Sequence, residues 1–371
     1  MAMAGTVFGA RRRLELKVRV ADTAEGVEGI VPAWRDLASR SGISAFGFPF
    51  WATRCLGTDG GFTRPRPRIV TVWSGDELVA LGPFAEELRA AMRKVRFLGP
   101  PWAQPNRPLV APGHEDAVPL VWRALHGPRT VLRLHDLDLR VSATPLDPDG
   151  SWSARVERRS RCWMVDTSID LDERLRRDHR KLRSVLVARE RITSAGLSVE
   201  HRLARTPGEV AEVLPALTAI QRASGADHAP SSMERDFGAG RLPRLLAAAA
   251  AEGRLLVFVL SADGVPFSHM IALLGDRVVS ALMTAHHRDY RELNPGHLVF
   301  ADLYAWAHEQ GIPVDFSVGD LQWKRCWSRE GYEVVDLTAA ANGLVLRTLE
   351  AAGRARSWLR AAGPAGGGDA A

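Results

Sequence analysis

Two α/β units joined end to end are what this chain predicts, and three observations carry the prediction. At 371 residues it exceeds what one hydrophobic core usually serves. Apolar residues make up 46% and charged residues 25%, the values of a globular chain rather than a disordered one. Strand-like alternation and helix-like periodicity then follow one another in a similar order in both halves: strand, helices, meander, helix, strand.

The first unit is expected over residues 14–145. Residues 14–20 alternate as a strand. The next stretch is a helix, with Val27, Ile30, Trp34 and Leu37 at helical spacing and Gly42 after its end. FGFPFW (46–51) is an aromatic loop. RIVTVWSGDELVALGPF (68–84) is a hairpin turning at Gly75-Asp76, and KVRFLG (94–99) is a further strand. PPWAQPNRPLVAPG (100–113) is a Pro-rich loop, too long and too apolar for a plain linker. A helix at 115–126 and a strand at 130–137 complete the unit, and the turn-rich ATPLDPDG (143–150) marks a boundary.

The second unit is expected over 151–345. It opens with the strand CWMVDT (162–167). One long helix follows at 170–195, with Ser168 or Asp170 as its cap and Gly196 as its stop. After strand 197–204, Thr206-Pro207 start another helix; a loop at 225–235 leads to a further helix ending at Gly253. Residues 254–286 read as three strands turning at Asp263-Gly264 and Gly275-Asp276. A helix at 295–310, strand 312–317 and strand 332–340 close the unit, and the tail 360–371, ending in GPAGGGDAA (363–371), is disordered by composition.

The formal net charge of +6 and pI near 9.7 suit an anionic partner such as a phosphorylated cofactor, tRNA or an acidic surface. A basic compositional background gives the same numbers. The three cysteines, Cys55, Cys162 and Cys326, lie far apart and are odd in number. That spacing supports neither a disulfide framework nor a zinc site and fits a reducing cytoplasm. No apolar run reaches the length of a membrane span, and the arginines at 11–13 precede a short alternating strand, not a signal sequence.

The most informative stretch runs from 278 to 327. Strand, loop, helix and strand of this length make a crossover between parallel strands. The loop ends in LNPGH: Asn294 is placed to cap the helix, Pro295 suits its first turn, and Gly296 leaves room for an approach to the backbone. Free N–H groups and the helix dipole there favour an anion, with Arg288, Arg291 and His297 nearby. The same residues also make an ordinary helix start. After the second strand, VGDLQWKRCW sets Lys324 between Trp323 and Trp327. Such a lysine is either a donor to a carbonyl oxygen or phosphate, sheltered by indoles, or a side chain snorkelling over them. Asp315 and Asp320 are candidate proton acceptors, or partners of Lys324 or Arg325.

HHRDYRELNPGHLVFADLYAWAHEQGIPVDFSVGDLQWKRCW (286–327) resembles the C-terminal signature of CelD/BcsL-type acyltransferases of the GNAT superfamily, relatives of the FemABX peptidoglycan transferases. Tyr290, Pro295, Gly296, Asp315, Phe316, Gly319 and Lys324 match it, and Trp323 stands where tyrosine or phenylalanine is usual. LRRDHRKLRSVLVARERITSAG resembles that family's basic helix; AWRDLA, FPFW and GPPWAQPNRPLVAPGHED resemble its N-terminal half. The likeness spans roughly 15–340.

It implies tandem GNAT-like domains, mixed sheets with helices on both faces, with an acceptor side in the first and a donor side in the second. It further implies an acyl donor held where strands 278–284 and 313–317 splay, with its phosphates near 288–297. An acceptor amine would enter between the domains, and Lys324 would polarise the carbonyl. The donor is acyl-CoA for a small amine or amino-sugar, or alternatively an aminoacyl-tRNA. A non-catalytic binding protein on the same fold is a third reading.

Other residues carry weaker signals. Helix 170–195 holds Arg174, Arg176, Arg177, Arg180, Lys181, Arg183, Arg189 and Arg191 beside an apolar stripe, as a solvated face or a guide for tRNA or CoA phosphates. His269, His286 and His287 are candidate bases or hydrogen-bonded strand and turn residues. The last two lack a third ligand at metal spacing, so no metal is expected. Trp102 and Arg107 line an acceptor cleft or pack their loop on the core.

Overall fold

The computed structural model describes residues 15–42, 44–53, 66–89, 92–99, 105–140, 152–224, 240–348 and 351. The N-terminal half contains β1 (Leu16–Ala21), α1 (Ala24–Arg40), α2 (Pro49–Thr53), β2 (Arg66–Ser74), β3 (Glu77–Arg89), β4 (Met92–Phe97), β5 (Leu109–Val110), α3 (Val118–Arg123) and β6 (Thr130–Asp138). The C-terminal half contains β7 (Ser153–Val165), α4 (Leu171–Arg177), α5 (Arg183–Ser194), β8 (Val199–Ala204), α6 (Pro207–Ser224), α7 (Arg241–Ala251), β9 (Leu255–Ala262) and β10 (Val265–Leu274). It continues with β11 (Val279–His286), α8 (Pro295–Glu309), β12 (Val314–Val318), α9 (Gln322–Trp327) and β13 (Glu330–Ala340). Among the described residues no helix is long and apolar enough to cross a membrane.

All strands belong to one mixed sheet, in the order β1-β2-β3-β4-β6-β13-β7-β12-β11-β10-β9-β8, with β5 added to β3. The two flanks repeat one topology. In β1-β2-β3-β4-β6 three antiparallel contacts end in a parallel one, and β8-β9-β10-β11-β12 does the same. The last strand, β13, is the seam, antiparallel to β6 on one side and to β7 on the other. Gly331 is needed there: a Cβ would stand 2.3 Å from the Cys162 carbonyl oxygen of β7. The turn-rich segment 143–150 expected between the units lies outside the described residues, as does the loop 225–235.

The parallel pair of each flank opens into a wedge, and the two wedges differ. In the N-terminal half β4 and β6 pair from Arg93–Thr130 to Val95–Leu132. Residues 105–111 then enter the gap. Asn106 donates to the Asp136 carbonyl at 2.9 Å, accepts from the Asp138 N–H at 2.8 Å and bridges in parallel to Leu137. Val110 and Leu109 pair with Ala80 and Leu81 of β3. In the C-terminal half β11 and β12 pair only at Val279–Val314 and Ser280–Asp315. Beyond these, no described strand or bridge joins them.

Three expectations need correction. The single helix at 170–195 is two helices, broken at 178–182. Polar Asp178, His179, Arg180 and Lys181 offer no apolar anchor, and the turn buries Leu182 completely, with its N–H and that of Lys181 donating to the Asp178 carbonyl. Of the expected strand 162–167, residues 162–165 are the end of the 13-residue β7, whose first part is exposed at consecutive positions and so shows no alternation. FGFPFW is not a plain loop: it forms a 3₁₀ turn, Ala45–Gly47, and α2, and buries Phe48 and Trp51.

Helices cover both faces of the C-terminal flank. α6 and α7 press Val213, Leu217 and Leu246 against Val257, Ile271 and Leu273 in a core that continues into the N-terminal half. α8 packs Val299, Phe300 and Leu303 on the other face, with Val314 and Phe316. His269 sits in β10 between Val259 and Ala285, fully buried, and neither ring nitrogen has a hydrogen-bond partner among the described residues. Burial holds its pKa down to about 3, against an ordinary 6.5.

The unfolded chain therefore binds a proton at this residue that the folded chain refuses, and stability is lost as pH falls from about 6.5 toward 3. His269→Leu is expected to raise unfolding stability at pH 7 by about 1–3 kcal/mol, because it removes unpaired buried polar atoms. It should also weaken the acid dependence. Urea unfolding at pH 7 and pH 5 checks both; equal losses in wild type and variant would remove His269 as the cause.

Candidate active site

The C-terminal wedge ends in a kink. Ser317 has φ +56° and Gly319 φ +117°, and the pairing of β12 with β7 slips between Asp315 and Val318. A non-glycine residue in the left-handed region costs about 1–3 kcal/mol and persists only where neighbours hold it. Lys324 is that neighbour. α9 turns its side chain back under the strand end, and Nζ donates to the carbonyls of Phe316 at 2.8 Å and Val318 at 3.0 Å. The ammonium is buried, and desolvation lowers its pKa from 10.5 to about 8. One of its three N–H groups has no acceptor among the described residues.

The expected indole shelter for Lys324 is not what forms. Trp323 and Trp327 lie one and three positions along α9 from the lysine and face α8. Trp323 meets Phe316 edge-on at 4.9 Å, and Trp327 meets Phe300 at 4.7 Å. Trp327 is fully buried, and its Nε1 donates to His297 Nδ1 at 3.1 Å. That bond puts the His297 proton on Nε2, and burial holds the ring neutral by lowering its pKa. The tryptophans thus anchor α9 on α8, and the lysine clasps β12 from the other side.

Asp315 and Asp320 separate sharply. Asp320 is exposed, accepts from Arg325 Nε at 2.7 Å and Trp163 Nε1 at 2.9 Å, and its pKa is lowered chiefly by the Arg325 bond. It is an ion-pair partner, poorly suited to taking a proton. Asp315 is 2% exposed and is the last paired residue before the wedge. Its carboxyl accepts from Tyr332 Oη at 2.6 Å and the Ser317 N–H at 2.7 Å; burial raises its pKa, against the pull of those two bonds. Ser280, its partner on β11, is fully buried, and its Oγ has no hydrogen-bond partner among the described residues.

At the outer end of the wedge a 3₁₀ turn, Arg288–Leu293, leads into α8. Asn294 is the cap residue, but in a left-handed conformation with no side-chain cap; its Nδ2 donates instead to the Ser184 carbonyl of α5 at 3.3 Å. A Cβ on Gly296 would meet nothing within 4 Å, so the backbone of the first turn is open to approach. Arg288 and Arg291 are exposed, with only loose pairs to Asp289 and Glu292, each at 3.8 Å. Tyr290 stacks on Phe267 at 5.0 Å and braces the turn. The Asn294–Ser184 bond brings the break between α4 and α5 beside this helix start. Arg177, Arg180, Lys181 and Arg183 are exposed there, with no ion-pair partner among the described residues. Arg174, Arg176, Arg189 and Arg191 are paired with Asp178, Glu173, Asp172 and Glu292.

On the face opposite α8 a cleft of about 240 Å³ separates the halves, lined by Phe46, Phe97, Arg107, Asp138, Arg140 and Asp315 among others. A chain of contacts crosses its floor. Arg140 grips Asp138 with two nitrogens and lies 3.4 Å over the Tyr332 ring, and Tyr332 donates to Asp315. Asp138, Arg140 and Tyr332 carry no motif in the sequence; they come from β6, the turn after it and β13. Trp102 lies outside the described residues. His269 lies in the core, away from this cleft. Among the described residues no cluster of three His, Cys, Asp or Glu side chains is placed to hold a metal.

Residues 174–325 match the family model described as "Acetyltransferase (GNAT) domain". No curated protein matches the sequence. Among solved structures, FemX is similar over 87% of this chain and 98% of its own, at 11% identity and a TM-score of 0.56. The C-terminal domain (DUF2156) of a candidate lysylphosphatidylglycerol synthetase from Agrobacterium fabrum is similar over 88% and 96%, at 10% identity and a TM-score of 0.52. A tandem GNAT protein from the clavulanic acid biosynthesis pathway is more distant, at 14% identity and a TM-score of 0.44 over 88% and 99%. Residues 174–325 are thus similar to a GNAT acetyltransferase domain, in a chain whose fold is similar to that of FemX.

Proposed function

We propose that the protein is an N-acyltransferase that moves an acyl group from acyl-CoA to the primary amine of a small molecule by direct attack. The observation that carries this reading is the contrast between the wedges. The N-terminal one is filled by residues 105–111, and the C-terminal one is left without a described strand between β11 and β12. Its walls fit a thioester donor. Gly296 leaves the start of α8 approachable, and the arginines at 288 and 291 with the basic turn at 177–183 would meet phosphates. When bound, the donor supplies an activated carbonyl.

The chain's own residues would then do three things. The cleft between the halves admits the amine toward Asp315, at the apex of the wedge. Asp315, its pKa raised by burial, accepts the amine proton as the new C–N bond forms. The remaining Lys324 N–H donates to the developing oxyanion, which collapses to amide and thiolate. No covalent enzyme intermediate is needed.

A second reading, aminoacyl-tRNA as donor, is favoured by the four exposed cations at the α4–α5 break that have no ion-pair partner among the described residues and suit an extended phosphate backbone. Calorimetry with acetyl-CoA and with aminoacyl-tRNA separates the two. Binding of neither, together with no thiol release across an amine panel, would sink both in favour of a binding protein on this fold.

Lys324→Ala is expected to lower turnover by about 10²–10³-fold, the usual loss for one oxyanion donor. Because its pKa lies near 8, wild-type turnover should fall as pH rises past 8. Stability moves the other way. The folded pKa is below the unfolded 10.5, so this residue's contribution rises with pH between about 8 and 10.5. A pH–rate profile with melting curves tests this; a flat wild-type profile through pH 9 would take the Lys324 ammonium out of the mechanism.

A further inference from the structure

The cleft between the halves holds a partly buried cation, Arg107, that makes no hydrogen bond among the described residues. Asp138 is engaged by Arg140, which donates from Nε at 3.0 Å, from Nη2 at 2.7 Å and from its backbone N–H at 3.0 Å. Arg107 reaches the same carboxylate only at 3.9 Å, beyond hydrogen-bond distance, with its side chain 19% exposed. Buried guanidinium groups are ordinarily paired and hydrogen-bonded, and a planar fork with free N–H groups is complementary to a carboxylate or phosphate. The other charges do not neutralise it. Arg140 offsets Asp138, and the Asp315 carboxyl already accepts from Tyr332 and the Ser317 N–H. Arg277, on the rim, is exposed and pairs loosely with Asp276 at 3.8 Å.

Size narrows the occupant. A cleft of about 240 Å³ lies below the ~300–1,000 Å³ of sites for drug-sized ligands. Its lining offers two different chemistries, the Arg107 guanidinium of the wedge-filling segment and the Asp315 carboxyl of β12. We infer that the acceptor is a small amine that itself carries an anionic group, bound by Arg107, while its amine faces Asp315. Amino acids and amine phosphates are of this class; neutral amines and unmodified amino-sugars are not. The inference rests on the acceptor role proposed for this cleft and adds the substrate class.

Equilibrium binding to the full chain, without any donor, tests it in matched pairs: glycine against glycinamide, L-alanine against L-alaninamide, and O-phosphoethanolamine against ethanolamine. The anionic member of at least one pair should bind about ten- to a hundred-fold more tightly, the value of charge-assisted hydrogen bonds. The pair that discriminates names the anion as carboxylate or phosphate. Arg107→Gln should abolish the preference and leave acetyl-CoA affinity unchanged, and Arg107→Lys should restore part of it. Equal binding within every pair, binding of none, or a preference that survives Arg107→Gln in a variant with a wild-type melting curve would overturn the inference. The wild-type comparison does not depend on the variants folding. Acyl transfer is read separately by thiol release: acylation of neutral and anionic amines alike would overturn only the substrate class, and Arg107-dependent binding without turnover would overturn only the transferase reading.

Discussion

Strands β11 and β12 start as parallel neighbours and part after Ser280 and Asp315, and the C-terminal half is arranged around that parting. Two parallel strands that diverge leave backbone groups facing a gap, and such groups need a partner from the chain or from a ligand. The N-terminal half meets this need with its own residues 105–111, which bond to β6 through Asn106. The same topology therefore yields a closed unit and an open one. The segment that closes the first also carries Arg107 to the edge of the cleft leading to the second.

Lys324 holds the divergence in place. Without its ammonium, the Phe316 and Val318 carbonyls at the kink would lose their buried donor, and Ser317 would have less to keep it in the left-handed region. Its position depends on α9, which is seated by Trp323 and Trp327 against Phe300, Phe316 and His297. Substituting either tryptophan would therefore act on the lysine indirectly, through the orientation of a six-residue helix.

The seam strand β13 couples the halves electrostatically. Tyr332, on β13, links Asp315 at the wedge to Arg140 and Asp138 at the end of β6, in a cluster buried enough to raise the Asp315 pKa. In low dielectric each of these contacts is stronger than in water, and each unpaired group is more costly. A network of this kind positions the halves relative to each other, and the cleft between them inherits its charge.

Periodicity and local signals in the sequence settled much of this protein. The strand–helix order, the hairpin turns and the start of α8 at Pro295 follow from short-range chemistry, and so does the similar layout of the two halves. The motif around 286–327 pointed to the wedge because its residues are contiguous in the chain. Other features required the tertiary structure. The break at 178–182 depends on burying Leu182. The exposed length of β7 has no alternation to read, because packing on its neighbours rather than a buried face makes it a strand. The partners of Asp315, Lys324 and Arg107 come from β13, the β12 backbone and β6, and contacts between residues so placed leave no period in a sequence. Residue types alone offered a lysine, two indoles and two carboxylates; only packing decided that the indoles anchor a helix, one carboxylate pairs at the surface, and the other sits buried where two strands part.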